Sequence, residues 1–376
     1  MRVLGLATYP VEAAATRFRM IQFIEPLAEQ GIELSVYPFL DSRLHGSLYN
    51  RSHWPRTAAG LALASIRRVR ELWRARKADV LFVQREAMMF GPPVMEWLVI
   101  NLHHCPMVLD LDDSTYVSYK SPTYGRLGSM LKWFSKTNDL IRWSRLVTCG
   151  NREIAAYVKS KGRPAVVIPT VVDTTQFRPL SERQVADIPV IGWIGTHSTF
   201  PYVKSIFPVL ERLARDYRFR LRLVGTGEDS VAIHGVEVEN LPWKLNREIA
   251  DFQSFDIGIY PIVEDNWSVG KSCFKAVQYM AVGVPFVVSP VGACQDIAET
   301  NETHFVARTE DGWYTHLSRL LSDEPLRRRM GDRGRTYAVQ HYSIDAHVQK
   351  LAEALRAAAG LSGLPPVFIN SPQGCR

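Results

Sequence analysis

The sequence predicts an α/β protein with two separate parallel sheets. Short apolar segments alternate with longer amphipathic ones along most of the chain, which is typical of strands joined by helices. The alternation stops at a polar stretch, residues 172–189, and then begins again. The 376 residues also suit about two domains of ordinary size. We therefore expect two Rossmann-like domains, 1–180 and 181–341, followed by a C-terminal segment, 342–376.

Six strands are predicted in the first domain. An amphipathic helix is expected at 18–30, and Gly31 ends it because glycine readily adopts the left-handed conformation after a helix. A second amphipathic helix, rich in arginine, is expected at 61–77. The predicted strands are residues 2–9, 32–39, 79–84, 107–112, 146–149 and 166–169.

Five strands are predicted in the second domain, and two long helices follow them. The helices are expected at 324–341 and 345–359 from their apolar periodicity. The tail, 360–376, is rich in proline and glycine and is expected to be frayed. The predicted strands are residues 190–194, 221–224, 236–239, 257–260 and 286–289.

Composition limits the class of protein and its location. The five cysteines are scattered without C-x-x-C spacing, which predicts neither a disulfide framework nor a zinc site and favours a reducing cytoplasm. No segment approaches the ~18 apolar residues of a membrane span. The net charge of +7 favours anionic partners, and charge alone does not decide among nucleotide phosphates, anionic lipid and nucleic acid.

The segment 267–292 carries the strongest functional signal. Its pattern is typical of a loop, a helix, a tight turn at Gly283 and Pro285, and a buried strand. A helix N terminus presents N–H groups and the positive end of the helix dipole, and it therefore favours anions. Two lysines on the first helical turns add to this, so we predict a diphosphate site; an ordinary turn with solvated lysines is the alternative. The predicted residues are Gly270, Lys271, Ser272, Phe274 and Lys275.

The end of this helix resembles a signature of the retaining glycosyltransferases of family 4, the glycosyl transferases group 1, which have the GT-B fold. The signature is Glu-Ala-Met-Ala-x-Gly-x-Pro before an apolar strand, and residues 278–285 are QYMAVGVP. In that family one glutamate contacts the donor sugar and a later one holds the nucleotide ribose. Gly270 and Gln278 stand in those two places. The segment IPTVVD at 168–173 is similar to the interdomain hinge of the family, Ile-Pro-Asn-Gly-Val-Asp.

The resemblance implies two Rossmann-like domains that face each other across a cleft, with the last helices crossing back onto the first domain. It implies transfer of a hexosyl unit from a UDP- or GDP-linked sugar to a glycan or lipid-linked acceptor, with retention, in polysaccharide or glycoconjugate assembly. It implies no cofactor and no nucleic-acid partner. No metal is expected either, because lysines and the helix dipole supply the positive charge that a divalent ion would provide. The alternatives are a nucleotide-sugar 2-epimerase of the same fold and a non-catalytic sugar-nucleotide-binding protein.

Small residues follow the first strands of the second domain. Ligands of open α/β sheets bind beyond the carboxyl ends of the strands, so these loops are candidates for the donor site, although ordinary tight turns have the same composition. The family also places a lysine after the first strand and a nucleobase near Trp243, where a core tryptophan is the alternative. The predicted donor-binding residues outside the segment 267–275 are Gly195, Thr196, His197, Lys204, Gly225, Gly227, Trp243 and Gln278.

Ionisable residues follow two strands of the first domain. Asp110 and Asp112 share one strand face because side chains alternate with a period of two, so either is a candidate to position or deprotonate an acceptor hydroxyl. The alternatives are a carboxylate paired with Arg85, a helix N-cap at Asp113 or Ser114, and a metal-binding Asp-x-Asp. Near the start of the chain, Arg17 and Arg19 are candidates to bind an anionic group of a ligand. The alternative is that they lie in solvent at the start of a helix. The predicted acceptor-side residues are Arg17, Arg19, Arg85, Glu86 and Asp113.

The helix expected at 61–77 has both an apolar stripe and many cations. It is compatible with a solvated helix on the domain surface, or with peripheral contact with the anionic inner face of the plasma membrane. The stripe consists of Ala62, Ile66, Val69 and Trp73, and the cations are Arg67, Arg68, Arg70, Arg74, Arg76 and Lys77.

Overall fold

Each half of the chain forms a parallel sheet of its own. The computed structural model describes residues 1–48, 54–118, 125–181, 188–265 and 267–363. The chain divides into two compact units, Met1–Thr170 with His347–Arg376, and Val171–Ala346. Each unit contains six parallel strands, which confirms the predicted two-domain α/β class. The first boundary falls inside the predicted hinge at 168–173, and most of the predicted frayed tail lies outside the described residues.

The first sheet contains all six predicted strands, in the order β2-β1-β3-β4-β5-β6. Gln84 pairs with Asp110 in the register of β3 and β4, so the carboxyl ends of these two strands lie side by side. Two groups of ionisable residues therefore meet at one edge of the sheet. The strands are β1 (Arg2–Ala7), β2 (Glu33–Pro38), β3 (Val80–Gln84), β4 (Met107–Leu111), β5 (Leu146–Cys149) and β6 (Ala165–Val167).

Helices flank this sheet, and both predicted helices differ from the prediction. The helix expected at 61–77 begins earlier and spans Trp54–Ala75. The helix predicted at 18–30 is broken into two helices and a 3₁₀ turn, Ile21–Phe23, because Met20 leaves the helical conformation with φ −130° and ψ −58°. Gly31 follows the second piece with φ 74°, as expected of a helix end. The helices are α1 (Ala14–Arg19), α2 (Ile24–Glu29), α3 (Ser42–Ser47), α4 (Trp54–Ala75), α5 (Val94–His103), α6 (Gly125–Lys132), α7 (Lys136–Trp143) and α8 (Arg152–Ser160).

The second sheet contains the five predicted strands and one more, in the order β12-β11-β10-β7-β8-β9. The additional strand is β12, three residues long, at the edge beside β11. The strands are β7 (Val190–Ile194), β8 (Arg220–Val224), β9 (Glu237–Leu241), β10 (Ile257–Tyr260), β11 (Phe286–Val288) and β12 (His304–Val306). The helices are α9 (Phe200–Lys204), α10 (Phe207–Asp216), α11 (Glu248–Gln253), α12 (Phe274–Ala281), α13 (Glu310–Ser322), α14 (Glu324–His341) and α15 (Ile344–Ala358).

Gly258 lets α12 pack directly onto the middle of the second sheet, and Gly192 leaves room for the ring of Phe255, which follows α11. A Cβ at Gly258 would lie 2.7 Å from the Tyr279 ring, and one at Gly192 would lie 2.0 Å from the Phe255 ring. The Tyr279 hydroxyl donates hydrogen bonds to the carbonyl oxygens of Gly192, at 3.0 Å, and Ile259, at 3.1 Å. These contacts fix α12 against β7 and β10. Gly283 then ends α12 with φ 71°, as the sequence predicts.

None of the helices in the described ranges combines the length and the hydropathy that a membrane-spanning segment needs.

Candidate functional site

The strand order of the second sheet reverses between β7 and β10. β7 pairs with β8 on one side and with β10 on the other, so the chain runs outward from this point in both directions. Ligands of open α/β sheets bind outside the carboxyl ends of the strands at such a reversal. The loops that follow β7 and β10 therefore frame the candidate site on the second unit.

The predicted position of the two lysines needs a correction. Lys271 and Ser272 were expected on the first turns of a helix, but they lie in a loop between the 3₁₀ turn Ser268–Gly270 and α12. Cys273 causes the break, because its left-handed conformation, with φ 52°, interrupts the helical path before α12 begins. Of the predicted cations, Lys275 alone lies on the first turn of α12, at the positive end of the helix dipole.

Aromatic rings hold both lysines near the ends of β7 and β10. The Lys275 ammonium lies 4.9 Å from the centre of the Tyr260 ring and 5.9 Å from that of Trp193. The Lys271 ammonium lies 5.3 Å from the centre of the Tyr202 ring. An ammonium is attracted to a ring face within about 6 Å. The rings thus position the cations beside the strand reversal, and the sequence did not point to these three aromatic residues.

A disulfide ties the lysine loop to the loop after β11. Cys273 and Cys294 are bonded, with Cα atoms 5.3 Å apart, so the prediction of no disulfide was wrong and the cysteine argument for a reducing cytoplasm fails. The two loops also pack closely, because a Cβ at Gly292 would lie 2.1 Å from the carbonyl oxygen of Val269. The loop that carries Lys271 is therefore held by a covalent bond and by close backbone packing.

Gln278 has an unsatisfied donor. Its side chain is 4% exposed, and its Nε2 has no hydrogen-bond partner among the described residues. Gln278 lies three residues after Lys275, so the two side chains share one face of α12. A buried donor without a partner costs about 1–3 kcal/mol, which a ligand oxygen would recover. Gly270 is buried and has no side chain that would take the place of a carboxylate.

The loops after β7, β8 and β9 touch one another. A Cβ at Gly225 would lie 2.4 Å from the carbonyl oxygen of Gly195 and 3.2 Å from Cβ of Trp243. A Cβ at Gly227 would lie 2.5 Å from Cβ of His197, and both glycines have positive φ, 80° and 75°. Glycine is therefore required at both places, and five of the predicted donor-binding residues lie together at one end of the sheet.

Two further residues predicted for the donor site have local partners. The Thr196 hydroxyl lies 2.9 Å from that of Ser198, as in the ordinary tight turn that was the alternative. The Lys204 ammonium lies 2.6 Å from Glu228 Oε1 and 5.1 Å from the centre of the Phe200 ring. The ion pair is exposed, so its contribution to stability is small.

The carboxylates of the first unit form ion pairs at the ends of β3 and β4. Asp110 is 1% exposed and receives two hydrogen bonds from Arg19, at 2.5 and 3.0 Å, and one from Thr148, at 2.6 Å. Arg19 also donates to the carbonyl oxygen of Ile168 at 2.6 Å. Arg19 was expected either to clamp an anion or to lie on a solvated helix start; instead it is buried and bound to Asp110, because charges buried this deeply need a partner.

Asp112 is bound by Arg85 in a bidentate pair. The two hydrogen bonds, from Nε and Nη2, are 2.6 and 2.8 Å long, and Nη2 also donates to Asp113 at 3.0 Å. Arg85 itself has φ 63°, a conformation that non-glycine residues rarely adopt. Burial acts to raise the pKa of Asp112, but the Arg85 guanidinium more than offsets it, so this pKa lies below its usual value. Asp112 is therefore an ionised hydrogen-bond acceptor and a weak base.

The remaining acceptor-side residues are also paired. Glu86 is 5% exposed and accepts from Lys132 at 2.9 Å and Lys136 at 2.7 Å, two lysines that the sequence did not single out. Arg17 donates to the carbonyl oxygen of Val11 at 3.1 Å. The paired-carboxylate alternative thus describes the geometry of this edge, where Asp113 is the most exposed carboxylate, with a quarter of its side chain accessible (25%). No helix follows Asp113 or Ser114 up to residue 118, where this described range ends.

The comparisons with known proteins concern both the second unit and the whole fold. Residues 188–323 match the family described as Glycosyl transferases group 1. This match covers β7 to α13 and includes all the candidate loops described above. The comparison with curated proteins gives no match.

Solved structures resemble the chain over almost its full length. Sucrose-phosphate synthase from Thermosynechococcus elongatus has a TM-score of 0.66 at 13% identity, over 96% of this chain and 100% of that one. HepE of Anabaena in complex with UDP-glucose has a TM-score of 0.68 at 16% identity, over 95% and 100%. A glycosyltransferase from Rickettsia africae has a TM-score of 0.68 at 12% identity, over 96% and 99%. At these identities the likeness shows the fold, which is GT-B as predicted. The domain and the fold together support a glycosyltransferase.

Proposed function

We propose that the protein is a retaining glycosyltransferase that moves a hexosyl unit from a nucleotide-diphosphate sugar to an acceptor hydroxyl. The observation that carries the proposal is the group of Lys271, Lys275 and Gln278 beside the strand reversal of a glycosyl transferases group 1 domain. The three side chains supply two cations and one unsatisfied donor, which suit a diphosphate and a ribose hydroxyl. The complex of the similarly folded HepE with UDP-glucose supports a nucleotide sugar as the donor.

The lysines act on the leaving group in this proposal. As the bond between the sugar and the diphosphate breaks, negative charge grows on the diphosphate, and cations already in place stabilise it more than they stabilise the bound donor. One well-placed donor of this kind is worth about 3–4 kcal/mol of barrier. The rings of Trp193, Tyr202 and Tyr260 hold the ammonium groups in position before the reaction, so little reorganisation is needed. We propose that this arrangement works without a metal ion or other cofactor.

We propose that the acceptor hydroxyl lies against the carboxylate edge of the first unit. Asp112 is ionised there, and Arg85 holds both Asp112 and Asp113, so this edge is suited to orienting a hydroxyl rather than to removing its proton. Departure of the diphosphate on the same face that the acceptor attacks gives retention, and the leaving phosphate oxygen receives the acceptor proton. A glycan or lipid-linked acceptor in polysaccharide or glycoconjugate assembly, and a cytoplasmic location, complete the proposal.

One observation favours a second candidate. Gly270 provides no carboxylate for the donor sugar, as a non-catalytic protein that binds nucleotide sugars would tolerate. A panel of UDP- and GDP-linked sugars, first in calorimetry and then in transfer assays with and without EDTA, tests both. Binding followed by transfer with a retained anomeric configuration supports the transferase. Tight binding without transfer to glycan or lipid-linked acceptors supports the binding protein, and an epimer formed without acceptor indicates a 2-epimerase.

A further inference from the structure

Helix α4 buries two charged residues, one of each sign. Arg68 and Glu71 are 1% and 3% exposed, and their charged atoms lie 2.6 Å apart. Arg68 also donates to the carbonyl oxygens of Ala7, at 2.7 Å, and Tyr37, at 2.9 Å, which lie in β1 and β2. These hydrogen bonds fix the rotation of α4 about its axis. The side of the helix opposite to Arg68 and Glu71 is therefore the outer side.

The apolar stripe of α4 lies on that outer side. Ile66 and Trp73 are 61% and 68% exposed, and Leu63 and Val69 are 67% and 48% exposed. Soluble helices normally bury such a stripe against the core. The cations Arg67, Arg70, Arg74, Arg76 and Lys77 belong to the same helix and the residues after it, whereas the single carboxylate of α4, Glu71, is buried. The accessible face of α4 is thus apolar and cationic, with no accessible acid on the helix.

Helix α5 packs against α4 and has the same character. Its one carboxylate, Glu96, is 1% exposed and accepts a hydrogen bond from the backbone N–H of Ala87. Trp97 and Leu102 of α5 are 48% and 61% exposed. Exposed apolar residues are scattered singly on most proteins, but here they recur on two neighbouring helices whose acids are both buried.

A cationic groove of about 850 Å³ lies between α3 and α4, beside the stripe. Ile66 of the stripe and the exposed Leu63 beside it also line the groove, so the apolar and the cationic surfaces are continuous. Asp41 is the one carboxylate in its wall and lies 3.6 Å from Arg67. The arginines in the wall are Arg43, Arg56, Arg67 and Arg70. Within the described ranges Arg43, Arg56 and Arg70 form no ion pair. Several arginines around one groove suit a phosphate group.

We propose that the outer face of α4 and this groove form a docking surface for an anionic phospholipid bilayer. Charge complementarity selects this occupant, because the surface combines arginines that form no ion pair among the described residues with exposed leucine, isoleucine and tryptophan. A helix with arginines beside such an apolar face lies in the interface of a membrane. A lipid phosphate held in the groove places its acyl chains next to Leu63 and Ile66. The inference does not depend on the proposed reaction, since neither donor nor acceptor takes part in it.

Vesicle co-sedimentation of the full chain, without nucleotide and at ~0.15 M salt, tests the proposal. We expect binding to vesicles of phosphatidylcholine with phosphatidylglycerol, and much weaker binding to phosphatidylcholine alone. The pair Arg70→Glu and Lys77→Glu should weaken binding on the order of 25-fold, because each basic residue near an anionic surface contributes about fivefold. The pair Ile66→Ser and Trp73→Ser should weaken it at least about tenfold.

Matched variants on the second unit serve as controls. Arg215→Glu with Arg218→Glu, and Val339→Ser, change residues that are also exposed and should leave vesicle binding unchanged. All the substituted side chains are exposed, so the melting temperature should stay within about 2 °C of that of the unsubstituted protein. The proposal is overturned if the protein does not bind anionic vesicles, or if the α4 variants bind as well as the controls. A dimer that depends on Ile66 and Trp73, without vesicle binding, also overturns it and identifies a second copy as the partner.

Discussion

Replacement of Lys275 by methionine separates a binding role from a structural one. The Lys275 ammonium lies between the rings of Tyr260 and Trp193 at the start of α12. A charge-assisted hydrogen bond to a phosphate is worth about 1.5–3 kcal/mol, so its loss should raise the Kd of a nucleoside diphosphate roughly 10- to 150-fold. Each ring contact is worth about 0.5–1 kcal/mol, and methionine keeps the stem and a sulfur over the rings. The free energy of unfolding should therefore fall by less than about 1 kcal/mol.

Isothermal titration calorimetry with UDP and with GDP, and a melting curve of each variant, measure the two quantities. Arg215→Met is the control, because it removes one positive charge from the same unit at an exposed residue of α10 that belongs to no candidate site. We expect its Kd to change by less than about threefold. The reasoning is refuted if Lys275→Met leaves the Kd within twofold of the unsubstituted value while the melting temperature falls. In that case the ammonium stabilises the packing against the rings and the start of α12, and it does not contact the nucleotide.

Three further predictions follow from buried polar groups. Gln278→Met should raise the Kd of the nucleoside diphosphate up to about tenfold without lowering the melting temperature of the unliganded protein, because it removes a buried donor that has no partner; an unchanged Kd would exclude contact with the ligand. Asp112→Asn should lower turnover at least about tenfold with nearly unchanged nucleotide affinity if Asp112 orients the acceptor; normal turnover with a lower melting temperature would show that the ion pair with Arg85 is structural. His304→Phe should make stability less sensitive to acid. Burial lowers the pKa of His304 from 6.5 to about 4, so the unfolded chain binds a proton between these pH values and the folded chain does not, and stability falls as the pH falls from 6.5 towards 4. The contribution lost is roughly 3 kcal/mol, and chemical unfolding at pH 7.5 and at pH 5 measures most of it in both proteins; equal pH dependence of the two would refute it.

The alternation of apolar and amphipathic segments predicted the two sheets well, because buried parallel strands need nearly continuous apolar runs. β5, β7 and β10 have the predicted bounds. β12 was missed because it has three residues and begins with the polar His304. The break of the helix at Met20 was missed because nothing in the local sequence marks it.

The candidate site was only partly predictable, because its geometry depends on contacts between residues that are far apart in the sequence. Lys271 and Lys275 were found from their place at the start of an apolar helix, but the left-handed conformation of Cys273 between them and its bond to Cys294 have no signal in the cysteine spacing. Arg19 and Asp110 are separated by 91 residues, so no local pattern shows that they neutralise each other. The periodicity of α4 gave its apolar stripe correctly, but the burial of Arg68 against β1 and β2 decided which side faces solvent.

The bond between Cys273 and Cys294 closes a covalent loop that contains the whole of α12 and β11. In the oxidised protein the bond holds the residue before α12 beside the loop after β11, so we expect the amide hydrogens of both elements to exchange with deuterium in one cooperative opening. Cross-links of this loop length disfavour the open chain by about 3 kcal/mol. After reduction, exchange in α12 should become faster while exchange in β7 stays the same. The mobility of Lys275 would then depend on the oxidation state of two sulfur atoms.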